Sequence, residues 1–367
     1  MRVPRVPDAD GVGIESDSKP NARVEFDDKV MQPWASVLSF DALSKGSKDM
    51  QELAGVGTVQ AEEVAYKKWK KAFKICNDTV ELVVLTEVGP RILFFGYRGE
   101  DNEFHEIPEH SGKTGDEAFR VYGGHRLWVA PEVARTYYPD NVPVSVRRQG
   151  DAFVFTAPPE SAHPGTNLQK EVEIKLAETG ARVTVTHRIR NLGGEPTEMA
   201  PWALSVMAGH GTAILPLPPR APMSADRLLP EGVLALWSYT DLADPRWKLG
   251  TKYIQLHQAG NSASKFEEQM AGIFNPLGWG AYFRRGHLFV KKAKVEKDAK
   301  YPDFGCNFEI YTNAHSLELE TLGPLRNLKP GDTAEHTEHW WLFKDIQAGE
   351  TESWIDAVIL PLVETAK

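Results

Sequence analysis

The chain has 367 residues, of which 41% are hydrophobic, a formal net charge of −9 and two cysteines. This length suits one large domain or two ordinary ones, with enough apolar residues for a sizeable core. The acidic charge argues against nucleic acid and membrane surfaces as partners, because both bind clustered lysine and arginine. Two cysteines provide neither a disulfide framework nor a cysteine-based metal site, and a single disulfide between Cys76 and Cys306 stays open.

The N-terminal region, residues 1–62, is expected to be an extension of the main domain. Residues 1–25 are rich in Pro, Asp, Ser and Gly, which indicates a disordered or draped arm, and weak helical patterns follow at 37–43 and 49–53. The start lacks the apolar core of a signal peptide, and no apolar run reaches membrane-spanning length. We therefore expect a cytoplasmic protein; a periplasmic or secreted one whose signal peptide has been removed is the alternative.

From residue 63 onward the sequence consists mainly of strand patterns. The clearest is 168–191, where apolar and charged residues alternate on both sides of a turn at 178–180, as in an antiparallel hairpin with one buried face. Similar patterns occur at 80–85, 91–97, 152–157, 212–217, 233–239, 253–257, 279–283, 287–295, 306–312, 316–322 and 334–343. We predict an all-β domain at 63–346, built as a large antiparallel two-sheet sandwich.

The last segment of the chain, residues 347–367, is predicted to be a short helical tail. Apolar residues recur at intervals of three and four between positions 352 and 363, which is the spacing of one helix face.

The segment YGGHRLWVAPE, residues 122–132, stands out among the strand patterns. Its paired glycines permit another part of the backbone to approach closely. Alternation places Arg126 and Trp128 on one face and His125 on the other, unless the glycines introduce a bulge. We predict that this strand brings all three side chains, with Glu132 at its end, near a cleft. The alternative is a sheet edge on which Arg126 stacks on Trp128.

Polar residues interrupt further strand patterns. Arg91 opens the apolar strand at 91–97, either as a substrate contact or as a strand-end arginine that reaches water. Glu318 and Glu320 share one face of their strand, and lie together either in a cleft or in solvent. The other candidates are Trp202, whose preceding Pro201 argues against a central strand, and Asp303, Asn307 and Glu309, which lie among aromatic residues.

Ten tryptophans and ten tyrosines, interspersed with carboxylates, arginines and histidines, are the ingredients of a carbohydrate site, although tryptophans also fill cores. Aromatic rings pack against the C–H faces of sugars, while planar polar groups bind the hydroxyls. The sequence contains no dinucleotide-binding, P-loop, zinc-protease or serine-hydrolase motif. The spacing of His105, His110 and His125 matches no metal motif, and His336 and His339 fall on opposite faces of a strand. No cofactor or metal is therefore predicted.

Several unusual strings occur in the same order as in a bacterial protein family. VGPRI, YGGHRLWVAPE, THRIRN, APWALSVMA, AILPLPPR, LWSYTDLADPRW, YPDFGCNFEIYTN and LELETLGPL resemble the DUF4380 proteins, over residues 63–345. That family has no established reaction and is usually placed in the galactose mutarotase-like superfamily, which includes aldose 1-epimerases and domains of lyases and hydrolases. The resemblance implies a supersandwich fold that binds a mono- or oligosaccharide on its concave face. We expect a monomer or homodimer.

The epimerase pattern, carried over by resemblance, assigns catalytic roles. Epimerases use a glutamate on a late strand as the base toward the anomeric hydroxyl, and the string LET resembles that site, so Glu320 is the candidate base. Arg91 is similar to the early-strand arginine that holds substrate, and His125 follows glycines as in the family's HGG-type turn. Trp202 occupies the place of the epimerases' acid histidine. Because of that departure, either another group is the acid, with His125 or His210 as the first candidates, or the protein is not an epimerase.

Three functions stay open from the sequence. The first is an aldose 1-epimerase-like enzyme that uses Glu320. The second is a polysaccharide lyase or glycoside hydrolase, and hydrolysis would need a second carboxyl near Glu320, from Glu309, Asp303 or Glu132. The third is a non-catalytic carbohydrate-binding protein with tryptophan platforms. In all three the candidate substrate contacts are Arg91, Arg126, Trp128, Glu132, Trp202, Asp303, Asn307 and Glu309.

Overall fold

The computed structural model describes residues 59–116, 118–160, 167–259 and 267–366. The expected N-terminal arm and the helical patterns at 37–43 and 49–53 lie outside the described residues. In the part of the chain that is described, no helix is both long enough and apolar enough to cross a membrane. The two cysteines, Cys76 and Cys306, are both buried and free, so they form no disulfide with each other.

A large antiparallel sheet, here called the front sheet, forms one layer of the domain. Among the described residues it has eleven strands: β1 (Gln60–Tyr66), β2 (Trp69–Cys76), β3 (Val80–Leu85), β4 (Arg91–Tyr97), β5 (Gly124–Ala130), β10 (Thr197–Met207), β12 (Leu234–Leu236), β15 (Gln269–Ile273), β18 (Phe308–Thr312), β19 (Leu317–Leu322) and β20 (Arg326–Leu328). Their order is β1-β2-β3-β4-β5-β10-β19-β18-β15-β12, and β20 pairs with the start of β10.

A second antiparallel sheet, the back sheet, forms the other layer. Its ten described strands are β6 (Ser145–Gln149), β7 (Ala152–Thr156), β8 (Leu168–Leu176), β9 (Arg182–Asn191), β11 (Thr212–Pro216), β13 (Trp247–Leu249), β14 (Tyr253–His257), β16 (Trp279–Arg284), β17 (His287–Ala293) and β21 (Thr333–Phe343). Their order is β13-β14-β11-β16-β17-β21-β9-β8-β7-β6. The all-β, two-sheet prediction is therefore confirmed, and so is the β8–β9 hairpin.

The main core lies between the two sheets. Phe95 and Phe104 on the front side meet Phe289 and Trp340 on the back sheet, with ring centroids 6.1 Å apart for Phe95–Phe289 and 5.7 Å apart for Phe104–Trp340. Each fully buried aromatic side chain stabilises the fold by about 1.5–3 kcal/mol relative to its exposed state. The sheets are thus joined mainly by apolar contact, as in other sandwiches.

Short helical segments cover the loops and the back sheet. Two 3₁₀ turns, Pro108–His110 and Ala134–Tyr137, lie in the long connections on either side of β5. The C-terminal helix runs through an α-helical turn, a π-helical segment and a second α-helical segment: Glu352–Trp354, Ile355–Ile359 and Leu360–Thr365. It buries Ile355, Ile359 and Val363 against the side of the back sheet that faces away from the core. The predicted C-terminal helix is therefore confirmed.

Pro201 lies in a central strand, so the expectation that it would not was wrong. It pairs with Val129 of β5, and its carbonyl oxygen accepts a hydrogen bond from the Gly323 N–H at 2.8 Å. The N–H and C=O of one strand residue point to the same neighbour, so the missing N–H of Pro201 faces the end of β19. Regular pairing of β10 with β19 begins at Trp202–Leu322. The proline therefore sits where the ladder stops, and removes no bond from within it.

A buried ion pair links the back sheet to β19. The Lys291 ammonium lies 2.9 Å from a Glu338 carboxylate oxygen, and both side chains are fully buried. Lys291 also donates to the Leu319 carbonyl oxygen at 3.0 Å, and Glu338 accepts from the Thr321 hydroxyl at 2.5 Å and the Trp340 indole N–H at 2.8 Å. Water does not reach either charge, so it cannot solvate the one that remains when the other is removed. The loss of one charge would therefore leave the other buried and uncompensated.

We expect Lys291→Met to lower the free energy of unfolding by about 3–5 kcal/mol, because it leaves the Glu338 carboxylate buried without its cation. The double variant Lys291→Met/Glu338→Leu removes both charges and should recover much of that loss. Urea unfolding followed by tryptophan fluorescence measures both. The control is Arg147→Met, whose exposed ion pair with Glu171 should contribute less than about 1 kcal/mol. Equal small losses in Lys291→Met and Arg147→Met would contradict a stabilising role for the buried pair.

Candidate functional site

A cavity of about 660 Å³ opens over the middle of the front sheet, on the face that turns away from the back sheet. Its volume is in the range of small-molecule sites. Strands β5, β10, β15, β18 and β19 contribute the floor, which includes Trp128, Trp202, Leu204 and Met270. Of the residues that the sequence singled out, Arg126, Trp128, Glu132, Trp202, Glu318 and Glu320 line the cavity.

The glycine pair before β5 sets the position of this strand. Gly123 and Gly124 have φ values of +93° and +71°. A Cβ on Gly123 would lie 2.1 Å from the His105 carbonyl oxygen, and a Cβ on Gly124 would lie 2.3 Å from the Ile92 carbonyl oxygen. The prediction of close backbone approach is confirmed. From Gly124 onward β5 pairs residue by residue with β10. Alternation therefore continues through the strand, and neighbouring side chains point to opposite faces.

Arg126 and Trp128 form the wall that β5 contributes. The guanidinium carbon of Arg126 lies 4.2 Å from the centroid of the Trp128 ring, and its Nη2 is 3.4 Å from a Glu318 oxygen. The Trp128 ring meets Trp202 edge to face at 5.3 Å. Within the described ranges, Nε and Nη1 of Arg126 and Nε1 of Trp128 have no hydrogen-bond partner. Arg126 therefore stacks on Trp128, as one alternative predicted. The pair lies in a cavity wall on an inner strand, however, and not at a sheet edge.

Glu320 lies at the bottom of the cavity, and only 1% of its surface is exposed. Burial, with Glu318 nearby, raises the pKa of its carboxyl to about 8, although Arg126 and Lys291 act in the opposite direction. The Trp202 indole N–H donates a hydrogen bond of 2.7 Å to it, which favours the charged form. Glu320 is therefore held by one donor and keeps a proton that it can exchange near neutral pH.

A second buried carboxyl, Glu309, faces Glu320 across the β18–β19 ladder. Burial and the charges of Glu320 and Asp303 raise its pKa well above the ordinary value. Burial also raises the pKa of Asp303. Neither Asp303 nor Glu309 belongs to the cavity wall, which makes them neighbours of the site and not contacts for a bound molecule.

His125 points into the core, with 1% of its surface exposed, and does not line the cavity. Its Nε2 is 2.7 Å from Nε2 of His187, whose Nδ1 is 2.9 Å from the His336 carbonyl oxygen. Because His187 must donate through Nδ1, its Nε2 accepts from His125, and His125 Nδ1 accepts from the Ser205 hydroxyl at 2.9 Å. Burial, aided by Lys291, lowers the pKa of His125 well below its ordinary value. His125 is thus a neutral structural residue here.

The same histidines come close to a carboxylate, which raises the question of a metal site. Ligand atoms of His125, His187 and Glu338 all lie within 4.8 Å of one another, and these side-chain types bind zinc. Tetrahedral zinc at its usual Zn–N distance would hold two imidazole nitrogens about 3.3 Å apart. The observed 2.7 Å is a hydrogen-bond distance, and Lys291 already neutralises Glu338. The geometry fits hydrogen-bonded histidines better than a metal centre.

Three other sequence candidates have structural partners. Arg91 is buried over the Tyr122 ring and donates to the Val121 carbonyl oxygen at 2.6 Å, behind the cavity wall. Asn307 accepts from the Asn275 N–H at 2.6 Å and returns a bond of 3.0 Å to its carbonyl oxygen, which fixes a loop. Glu132, the third candidate, accepts a hydrogen bond from the Tyr137 hydroxyl. Unlike Arg91 and Asn307, it lines the cavity and is exposed there.

Sequence reasoning missed several residues of the wall. His105, Tyr239, Tyr311 and His315 all line the cavity. Tyr311 could have been found, because it shares strand parity with Glu309 on β18. The other three lie outside the regular strands that border the cavity, where alternation gives no direction. Sequence reasoning had weighed His105 and His110 as metal ligands with His125. His105 lines the cavity and His110 does not; His110 Nδ1 accepts a hydrogen bond of 3.3 Å from the Tyr122 N–H.

Comparisons with solved structures return galactose mutarotase-like proteins. A galactose mutarotase-like protein from Lactobacillus casei ATCC 334 has a TM-score of 0.49 at 9% identity, over 74% of this chain and 100% of that one. The galactose mutarotase related enzyme from Lactobacillus acidophilus has a TM-score of 0.46 at 9% identity, over 76% and 100%. The Slr1438 protein from Synechocystis sp. PCC 6803 has 0.46 at 13%, over 75% and 96%. No family model and no curated protein matches the sequence.

The buried carboxyls predict a pH dependence of stability. A group whose folded pKa lies above its ordinary value of 4.5 binds more protons in the folded state, so stability falls as pH rises from about 4.5 toward the folded pKa. Each such group contributes at most about 1.4 kcal/mol per pH unit. We expect Glu309→Gln, which mimics the protonated acid, to make this decline shallower, in urea unfolding between pH 5 and 8. The control Glu178→Gln, in the exposed β8–β9 turn, should leave the slope unchanged. Equal slopes for wild type and Glu309→Gln would contradict the raised pKa.

Proposed function

We propose that this chain is a carbohydrate-active protein of galactose mutarotase-like type, related to the DUF4380 proteins, and that it works as an aldose 1-epimerase. The observation that carries the proposal is Glu320: a buried carboxyl with a pKa of about 8 at the floor of a cavity walled by Trp128 and Trp202. Tryptophan faces bind sugar rings, and a carboxyl that exchanges its proton near neutral pH suits acid–base catalysis.

The chemistry needs one base and one acid. Ionised Glu320 takes the proton of the hydroxyl at C1, and an acid protonates the ring oxygen as the C1–O bond of the ring breaks. The aldehyde group rotates, the ring closes on its other face, and the two protons return. No electrons are transferred overall, so the residues of the cavity suffice. Arg126, next to Glu318, would bind sugar hydroxyl oxygens through donors that have no protein partner.

The acid in this proposal is a histidine of the cavity wall, His105 or His315, and not His125. His125 faces the core and already donates to His187. His105 is half-buried, and burial lowers its pKa, so the imidazolium that can protonate the ring oxygen is its minor form at pH 7 and returns to neutral imidazole in that step. His315 is exposed on the same wall. Separate His105→Asn and His315→Asn variants would identify which one contributes to the rate.

The hydrolase alternative has one observation in its favour, which is that further carboxyls line the same cavity as Glu320. Two-carboxylate hydrolysis requires the acids to flank one glycosidic bond. Glu309 is covered and does not reach the cavity wall, which leaves Glu132 and Glu318 as second acids for that route. Oligosaccharide cleavage would therefore be the observation that favours a hydrolase or lyase over an epimerase.

The test of the proposal is anomer exchange with and without Glu320. We expect the wild type to accelerate mutarotation of freshly dissolved α-aldohexoses, measured by polarimetry or exchange NMR, and Glu320→Gln to lose at least about 100-fold of that rate. Glu178→Gln serves as the control and should keep it. Wild-type mutarotation that survives in Glu320→Gln would contradict the role of Glu320. Sugar binding by both proteins without any turnover would replace the epimerase with a binding protein.

The pH profile provides an independent check on the same residue. Glu320 acts as base only when ionised and the histidine acid only when protonated, so the enzyme-dependent rate should reach its maximum below about pH 8 and fall above it. Trp202→Phe removes the N–H donor that stabilises the carboxylate, so the descending limb should move to higher pH by about one unit. A descending limb at the same pH in both proteins would contradict the role of Glu320.

A further inference from the structure

The cavity wall is rich in acidic side chains. Glu109, Glu132, Glu318 and Glu320 line it, and Arg126 is the only lysine or arginine among its described residues. Two further carboxylates, Glu267 and Glu268, are close enough to Tyr311 to help raise its pKa, after burial. A ligand in this cavity therefore experiences a negative potential from the wall and from the rim.

The positive charge of Arg126 does not offset this potential. Its guanidinium is 3.4 Å from Glu318, so the two charges largely cancel. Glu320 holds a proton near neutral pH because burial raises its pKa to about 8. Glu109 and Glu132, both on the exposed part of the wall, remain as carboxylates that no lysine or arginine of the wall neutralises.

A second observation concerns the hydrogen-bond donors of the cavity wall. Arg126 and Trp128 are more than nine-tenths buried and line the cavity, yet Arg126 Nε and Nη1 and Trp128 Nε1 lack acceptors in the described structure. Buried donors without a partner are costly, so an occupant that brings oxygen acceptors would be stabilised there. A sugar provides such acceptors through its hydroxyls and ring oxygen, without a net negative charge.

We propose that the cavity is selective for amino sugars that carry a free ammonium group, in preference to neutral aldoses and against uronates and sugar phosphates. This inference rests on the proposed sugar-binding function and adds the charge of the substrate. A carboxylate or phosphate on the ligand would be repelled by Glu109 and Glu132. Arg126, the only lysine or arginine of the described wall, is already paired with Glu318 and would compensate little of this repulsion. An ammonium group would instead gain from the same carboxylates, while its hydroxyls pair with Arg126.

The experiment compares four ligands that share the glucose ring and differ in charge: glucosamine, glucose, glucuronate and glucose 6-phosphate. Titration calorimetry or ligand-observed NMR at pH 6.5 and low salt should give binding of glucosamine about tenfold tighter than that of glucose, and of the two anions at least about tenfold weaker. The glucosamine preference should shrink on addition of salt. Galactosamine and galactose repeat the comparison for the other common stereochemistry.

Two variants separate wall charge from shape. Glu132→Gln removes one wall carboxylate and should reduce the glucosamine-to-glucose affinity ratio about threefold or more, while Glu178→Gln, away from the cavity, leaves it unchanged. If glucose, glucuronate or glucose 6-phosphate binds as tightly as glucosamine, the inference is overturned and the sugar site stands. If none of the six sugars binds, the proposed function and the inference both fail. An affinity ratio that is unchanged in Glu132→Gln would also overturn the inference.

Discussion

The alternation of side chains along the central strands of the front sheet is the constraint on which the rest of this structure depends. Each of these strands has one face in the sandwich core and the other under the cavity. On β19, Leu319 packs in the core while Glu320 lies under the cavity, and on β5 Leu127 packs in the core while Arg126 lines the cavity. The residues that stabilise the fold therefore also aim the residues of the site.

This shared use of strands explains why the carboxyls are so strongly perturbed. Glu309 and Glu320 are opposite each other on adjacent strands, so alternation that directs one to the outer face directs both. Glu309 is fully buried, and the nearby Asp303 adds to the increase of its pKa. The core side of the same strand is different, because its charges are paired. There the Thr321 hydroxyl donates to Glu338, and Glu338 forms an ion pair with Lys291. The protein stabilises its core charges and leaves its cavity charges under-compensated.

Strand parity accounts for most of what the sequence could reveal. It gave the β8–β9 hairpin, the common face of Glu318 and Glu320, and the opposite directions of His125 and Arg126. Parity does not say which face of a strand is core, so Arg91 and Asn307 looked like site residues although both are tied to backbone atoms. The cavity histidines lie in loops, whose directions depend on tertiary contacts that no local pattern contains.

Trp202 connects the floor of the cavity with the buried carboxyl of Glu320. The indole N–H is a donor only and does not give up its proton, so Trp202 cannot protonate a ring oxygen. It donates instead to Glu320, and so favours the charged form of a carboxyl that burial makes neutral. In the proposed epimerase, the same side chain would provide an apolar face for a sugar and keep the candidate base Glu320 partly ionised. In the proposed epimerase the acid would therefore come from elsewhere on the cavity wall, which His105 and His315 also line.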